Sequence, residues 1–229
     1  IALNAAGTVG YVGDKLGRLH RFTASSGSVS CTYKAPNDDI FDRSAPALVG
    51  SRIFIGSNEN GVLYAINADT CALHDSVTIG SAIRGTPVYD STPSKVYIAS
   101  LAGTLYRYDF DTSANTFSED WSVPVGAAVS SSPILTASTT TSAPFLFVGA
   151  NDLYAFNLVD GSSKWTGTTG NIGHSSAAAS GGLVFVADTS GDIYAFVSPT
   201  PPVPLPGGSP GLFPEAFRPE VSISLPAVG

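Results

Sequence analysis

The sequence predicts an all-β protein: a five-bladed β-propeller followed by an extended proline-rich tail that ends in a strand. Three observations predict this fold. One hairpin pattern recurs five times, a small-residue strand precedes four of its copies, and nine of the 16 prolines lie after residue 198. Four short strands that recur at a regular period are typical of propeller blades. We therefore expect a propeller over residues 1–198 and a separate tail over residues 199–229.

The hairpin pattern is the strongest signal. Each copy begins with a β-branched and aromatic run, and the central aromatic recurs at steps of 43, 43, 50 and 38 residues. These central residues are Tyr11, Phe54, Tyr97, Phe147 and Phe185. A turn and a second run of the Leu-Tyr-Ala-Phe type follow, so each pair of runs is predicted to form a β-hairpin. A strand of small residues precedes the hairpin, as in Ser131-Ser132-Pro133, and small side chains suit the crowded wall of a central channel. Proline is tolerated there because its nitrogen, which has no N–H to donate, can face the channel instead of a neighbouring strand.

Composition narrows the classes of function. The net charge is −7, and the 11 Lys and Arg residues form no basic cluster. Because nucleic-acid binding needs a positive surface that displaces counterions, we expect no nucleic-acid partner. No window holds 18 consecutive apolar residues, so we expect no transmembrane helix. The chain starts at Ile1 and contains no Met, which favours a cleaved export signal over an arbitrary chain boundary. This predicts an extracellular or cell-surface location, with the periplasm as the alternative.

The repeat resembles that of a known family. Ser-Ala-Pro-Ala (44–47), Ile-Phe-Ile-Gly-Ser (53–57) and Gly-Val-Leu-Tyr-Ala-Ile-Asn-Ala-Asp-Thr (61–70) are similar to the PQQ-type repeat of quinoprotein propellers. Residues 160–165 resemble the Gly-x-x-x-Trp ending of that repeat. The resemblance covers residues 1–197 and implies either a quinone-dependent dehydrogenase or an envelope scaffold that binds no cofactor.

Departures from the enzymes of that family favour a protein without catalytic activity. Those propellers commonly have eight blades, whereas this chain has five copies of the repeat. The closing Trp occurs only as Trp121 and Trp165, and the sequence has neither adjacent cysteines nor a recognisable calcium cage. We therefore predict no catalytic, cofactor-binding or metal-binding residues, and no cofactor.

The tail carries the prediction about assembly. Pro199 directly follows the third strand of blade five, which leaves that blade without an outer strand. Residues 220–225 alternate apolar and polar, which is typical of a strand. The predicted assembly residues are Val221, Ile223 and Leu225, and the predicted tail anchors are Leu212, Phe213 and Phe217. Either this strand completes blade five of its own chain, or it adds to a neighbouring molecule. Such head-to-tail donation generates fibres, and this second alternative is favoured.

Three residues are predicted to surround one mouth of the channel. Arg43, Arg84 and His174 each stand three places before the inner-strand proline or its equivalent, Ala177. They could bind an anion or a carboxylate, since Arg offers a planar fork of donors. Asp42 offers the alternative of an internal ion pair with Arg43.

The two cysteines map to neighbouring blades. Cys31 and Cys71 lie near the outer strands of blades one and two, so a disulfide between these blades is predicted. Two free thiols or an intermolecular bond are the alternatives.

Three functions remain open from the sequence. The first is a secreted structural subunit that polymerises through residues 199–229, as a homo-oligomer or fibre. The second is an envelope scaffold that presents the propeller face to a protein partner. The third is a quinone-dependent enzyme.

Overall fold

The computed structural model describes residues 1–92, 94–136, 144–180, 183–197 and 221–224, with residues 197 and 221–224 described as backbone. The predicted tail residues Leu212, Phe213, Phe217 and Leu225 lie outside this part of the chain. Within it, the structure contains no helix long and apolar enough to cross a bilayer.

Twenty strands form five antiparallel four-stranded sheets, and strands follow one another within each sheet in chain order from the innermost to the outermost. Blade 1 contains β1 (Ala2–Leu3), β2 (Val9–Gly13), β3 (Arg18–Thr23) and β4 (Val29–Lys34). Blade 2 contains β5 (Ala47–Val49), β6 (Arg52–Gly56), β7 (Val62–Asn67) and β8 (Leu73–Thr78). Blade 3 contains β9 (Val88–Asp90), β10 (Lys95–Ala99), β11 (Thr104–Asp111) and β12 (Thr116–Pro124). Blade 4 contains β13 (Ile134–Leu135), β14 (Phe145–Gly149), β15 (Leu153–Asn157) and β16 (Ser163–Gly167). Blade 5 contains β17 (Ala178–Ser180), β18 (Leu183–Ala187), β19 (Asp192–Val197) and β20 (Val221–Ser224).

The predicted all-β, five-bladed propeller is confirmed, and so are its five hairpins. In each blade the central aromatic of the second strand pairs with the third residue of the Leu-Tyr-Ala-Phe run, as Phe54 does with Ala65. Successive residues of a strand point to opposite faces of the sheet, so both faces of an inner hairpin can be apolar when a blade lies on each side. This is why the second and third strands read as continuous apolar runs.

The core lies between blades. Each of the four described apolar clusters joins two consecutive blades, from blades 1 and 2 through to blades 4 and 5. Phe54 of blade 2, for example, stacks on Tyr89 of blade 3 at 5.6 Å between ring centroids and meets the edge of Phe110 at 5.0 Å. Burial of such aromatic surfaces is the main stabilising contribution that one blade gives the next.

The last strand lies in its own chain. β20 pairs with β19 in the register Ala195 with Val221 through Asp192 with Ser224, and this completes blade 5. The structure therefore has the first of the two alternatives for the tail strand, and donation to a neighbouring molecule stays a prediction. The division into domains 1–198 and 199–229 also stays a prediction.

The face of blade 5 that points away from blade 4 is only partly covered. Phe185 is 36% exposed, whereas its equivalents Tyr11, Phe54, Tyr97 and Phe147 are at most 3% exposed. Ile193 is 38% exposed, whereas its four equivalents, Leu19, Leu63, Leu105 and Leu153, are fully buried. None of the described apolar clusters joins blade 5 to blade 1.

Candidate functional site

The segments that connect consecutive blades are positioned by one buried apolar residue each. These residues are Phe41, Ile83, Val129 and Ile172, all at most 2% exposed. Three of them pack on a glycine at the end of a second strand, where a side chain would collide: a Cβ on Gly56 would lie 2.1 Å from Ile83. The glycine and the apolar residue together fix the connection, so the polar residues that follow it reach the same end of the channel in each blade.

A cavity of about 380 Å³ lies at this mouth. Its lining residues are Asp42, Arg43, Arg84, Thr86, Ser130, Ser132 and His174. The structure therefore brings together the three residues that the sequence predicts at the mouth, Arg43, Arg84 and His174. Each comes from a different blade connection.

The wall of the cavity is held by small hydroxyl side chains that cross from blade to blade. The backbone N–H of Thr86 donates to Ser132 Oγ at 2.8 Å, and the backbone N–H of Ser132 donates to Ser176 Oγ at 2.9 Å. These contacts require that inner strands approach closely, which explains the small residues in the Ser-Ser-Pro pattern. The segments that precede the inner strands of blades 3, 4 and 5 are thus hydrogen-bonded to one another at the site.

The charges of the mouth are only partly compensated. Arg43 Nε lies 3.8 Å from Asp42 Oδ2, so the internal ion pair considered from the sequence is present, although Arg43 is 48% exposed. Arg84 Nε donates to a neutral partner, Asn58 Oδ1, at 3.1 Å. Asp42 Oδ1 is buried without a hydrogen-bond partner among the described residues. The two guanidinium groups exceed the single carboxylate, so the cavity favours an anionic group.

The cysteines link blades 1 and 2, as predicted. Cys31 on β4 and Cys71 in the turn before β8 form a disulfide, with their Cα atoms 5.9 Å apart. The free-thiol and intermolecular alternatives do not describe this structure. The part of the chain that the structure describes holds no group of three or more His, Cys, Asp or Glu side chains that could bind a metal ion.

Sequence reasoning missed a buried carboxylate, Asp39, in the connection between blades 1 and 2. Asp39 is fully buried; it accepts hydrogen bonds from the N–H groups of Ile40 and Asn60, both at 3.1 Å, and from the Tyr64 hydroxyl at 3.0 Å. Burial, with Asp39 as the second cause, raises the pKa of Tyr64 far above its ordinary value. The sequence does not indicate that Asp39 is buried, because an Asp that follows a polar pair such as Asn37-Asp38 usually faces solvent.

Comparisons with known proteins agree on the fold. The family model described as outer membrane protein assembly factor BamB matches residues 82–200. The solved structure of BamB from Moraxella catarrhalis is similar with a TM-score of 0.68 at 18% identity, over 86% of this chain and 60% of that one. A chain in the mitotic checkpoint complex is similar with a TM-score of 0.73 at 11% identity, over 98% of this chain and 64% of that one. This chain thus spans less than two thirds of the length of either. No curated protein sequence matches it.

Proposed function

Because the chain belongs to the family of the outer membrane protein assembly factor BamB, we propose that it is a non-catalytic scaffold propeller of the cell envelope that binds a carboxylate-bearing protein segment at its channel mouth. The observation that carries this proposal is the cavity in which Arg43 and Arg84 meet. An envelope location agrees with the Cys31–Cys71 disulfide, since disulfides persist in oxidising compartments.

The size of the cavity favours a short segment. A volume of about 380 Å³ is at the small end of binding pockets, which suits one or two side chains and not a folded domain. The hydroxyl groups of Ser130 and Ser132 lie beside the guanidinium groups and can donate to the same oxygens. An extended acidic segment that inserts one carboxylate is therefore the partner of best fit.

Charge favours the same partner. The whole chain has a net charge of −7, whereas the ionised side chains of the mouth are two Arg and one Asp, with His174 beside them. A local positive site on an acidic surface directs an acidic segment to one place, because the remaining surface repels it. Arg43 would exchange its long contact with Asp42 for one with the incoming carboxylate.

The test is binding of a fluorescein-labelled hexaglutamate peptide, measured by fluorescence anisotropy, with hexaglutamine as the reference peptide. We expect hexaglutamate alone to bind, and Arg84→Gln and Arg43→Gln each to weaken binding roughly tenfold or more, since charge-assisted hydrogen bonds are lost. Asp42→Asn should strengthen binding because it removes the competing carboxylate. Added salt should weaken binding.

Lys164→Gln is the matched control, because it removes one positive charge from the exposed outer strand β16. It should leave the affinity for hexaglutamate within about twofold of the starting protein, as an exposed distant charge does. Absence of hexaglutamate binding, or an equal loss in Lys164→Gln, would contradict a site at the mouth.

The second candidate is a secreted structural subunit that polymerises by donating its tail strand, the function favoured from the sequence. The observation that favours it is that β20 is separated from β19 by residues 198–220, a connection long enough to let the strand pair elsewhere. Donation would require β20 to leave β19 of its own chain.

A further inference from the structure

A second cationic cavity lies on blade 1. It has a volume of about 350 Å³, and its lining residues are Lys15, Leu16, Arg18, Lys34 and Asp38. Three of the 11 Lys and Arg residues of the chain therefore line one cavity, together with a single carboxylate. Because the whole chain has a net charge of −7, such a concentration of positive charge marks this cavity as a candidate anion site.

The turn between β2 and β3 holds these cations in place. Lys34 Nζ donates to the carbonyl oxygen of the residue after Lys15 at 2.6 Å, and Arg18 Nε donates to Asp14 Oδ2 at 2.9 Å. Arg18 is thus compensated by a carboxylate. Within the described part of the chain, neither Lys15 nor Lys34 forms an ion pair. Two ammonium groups therefore exceed the one lining carboxylate, that of Asp38.

The cavity adjoins the channel mouth along one segment, residues 35–46, which connects β4 to β5. Asp38 of this connection lines the cavity on blade 1, whereas Asp42 and Arg43 line the mouth. Four residues of even a fully extended chain span at most about 14 Å, and the positive φ of Asp38, 51°, bends the connection there. The two cavities are therefore within reach of one short peptide segment.

Hydrogen bonds fix the spacing of the two cavities. The backbone N–H of Phe41 in the connection donates to the carbonyl oxygen of Asp14 in the turn of blade 1 at 2.9 Å. The backbone N–H of Asn58 in blade 2 donates to the carbonyl oxygen of Ile40 at 3.0 Å. Asn58 Oδ1 in turn accepts from Arg84 Nε of the mouth at 3.1 Å. The turn, the connection and the mouth thus form one hydrogen-bonded unit.

We propose that the cavity on blade 1 is a second subsite for the acidic segment, so that Lys15 and Lys34 bind one of its carboxylates while Arg43 and Arg84 bind another. This inference rests on the proposed function. It restricts the partner to an extended segment with two acidic side chains no more than about four residues apart. The second contact forms within a complex that the first has already brought together, so it adds affinity at little further cost in entropy.

The test compares two hexapeptides with blocked ends by isothermal titration calorimetry: hexaglutamate, and Gln-Gln-Glu-Gln-Gln-Gln with a single carboxylate. We expect hexaglutamate to bind the unmodified chain roughly tenfold or more tightly than the single-carboxylate peptide, because it alone can occupy both subsites. Lys15→Glu should remove most of this advantage and leave the affinity for the single-carboxylate peptide within about twofold. Lys15 is exposed and has no ion pair within the described part of the chain, so this variant should fold.

Lys164→Glu is the matched control, because it makes the same change of charge at an exposed position of the outer strand β16. It should leave the affinity for hexaglutamate within about threefold, as a distant exposed charge is screened by salt. Far-ultraviolet circular dichroism checks that both variants fold.

The two proposals fail in different ways. If Arg84→Gln does not weaken binding of the single-carboxylate peptide, the mouth is not the site, and the second subsite is overturned with it. If Arg84→Gln weakens binding of both peptides but Lys15→Glu behaves like Lys164→Glu, the proposed function stands and the second subsite is overturned. Equal affinities of the two peptides for the unmodified chain would also overturn the second subsite.

Discussion

The turn between β2 and β3 shows how one carboxylate organises a blade. Asp14 Oδ1 accepts from the backbone N–H groups of Leu16 at 2.8 Å and Arg18 at 2.9 Å. Its Oδ2 accepts from Arg18 Nε at 2.9 Å and lies 3.1 Å from His20 Nε2. Burial acts to raise the pKa of Asp14, but the hydrogen bonds from Arg18, His20 and Leu16 outweigh it and hold the pKa far below the ordinary range. The ionised carboxylate is therefore part of the fold of blade 1.

Asp14→Asn should destabilise the protein by about 1.5–3 kcal/mol at neutral pH, the usual contribution of hydrogen bonds to a charged group. The folded-state pKa is lowered, so this stabilisation is present above the unfolded-state pKa of about 4 and is lost as the pH falls towards the folded-state value. Urea unfolding at several pH values should thus give a difference between the two proteins that shrinks below about pH 4.

Glu59→Gln, at an exposed position, is the control for that comparison and should change stability by less than about 0.5 kcal/mol. A difference between Asp14→Asn and the starting protein that stays constant down to strongly acidic pH would contradict the role given to the charge.

At the scale of strands, one position of the outer strand links blade 1 to blade 2 through a disulfide and blade 3 to blade 4 through a tryptophan. Trp121 and Trp165 pair with the third residues of their Leu-Tyr-Ala-Phe runs, and Cys31 has the equivalent pairing in blade 1. Trp121 packs on Gly161 in the turn of the next blade, where a Cβ would lie 2.9 Å from the indole ring. Cys71 occupies in blade 2 the position that Gly161 occupies in blade 4. The backbone φ is positive at both positions, 67° at Gly161 and 56° at Cys71. The disulfide between blades 1 and 2 therefore stands where blades 3 and 4 have Trp121 on Gly161.

Cys31→Ala with Cys71→Ala should cost about 3–4 kcal/mol, the expected effect of opening a loop of about 40 residues. Cys31→Trp with Cys71→Gly should recover part of this, because it installs the contact used by blades 3 and 4 and relieves the positive φ at position 71. Urea unfolding with and without a thiol reductant measures both effects.

The reductant itself should destabilise the unmodified chain and leave both double variants unchanged. If the Trp and Gly variant is no more stable than the double-alanine variant, the two kinds of junction are not equivalent.

At the scale of the whole molecule, the tail strand decides whether blade 5 is complete. β20 gives the backbone groups of β19 their partners, and an unpaired β19 would be an edge open to other strands. A chain that ends at Val197 should therefore be less stable and more prone to aggregate than the full chain. A synthetic peptide of residues 219–226 should bind the shortened chain and raise its unfolding temperature.

The same peptide should have no effect on the full chain at any dilution, since β20 already has that place within the molecule. Differential scanning fluorimetry makes the comparison, and a peptide with the same residues in scrambled order is the control. Stabilisation of the highly diluted full chain by the peptide would contradict pairing within one chain and would support donation between molecules.

The repeat pattern was sufficient to predict the blades, the channel mouth and the disulfide, because equivalent positions in a repeat occupy equivalent places in space. It could not predict that Phe185 is partly exposed whereas Phe54 is buried. The two are alike in sequence, and their difference arises from whether a further blade lies against them. Asp39 was missed for a similar reason, since its burial depends on Tyr64 and Asn60, which belong to the next repeat.

The disulfide also affects the order in which the blades can separate. The described apolar clusters join only consecutive blades: that of blade 5 is shared with blade 4, and that of blade 1 is shared with blade 2, to which the disulfide also ties it. Nearest-neighbour coupling of this kind lets a repeat array fray from its ends. In this array of five blades, fraying should then begin at blade 5 and not at the disulfide-bonded blade 1, which makes blade 5 the least protected of the five against amide hydrogen exchange and proteolysis.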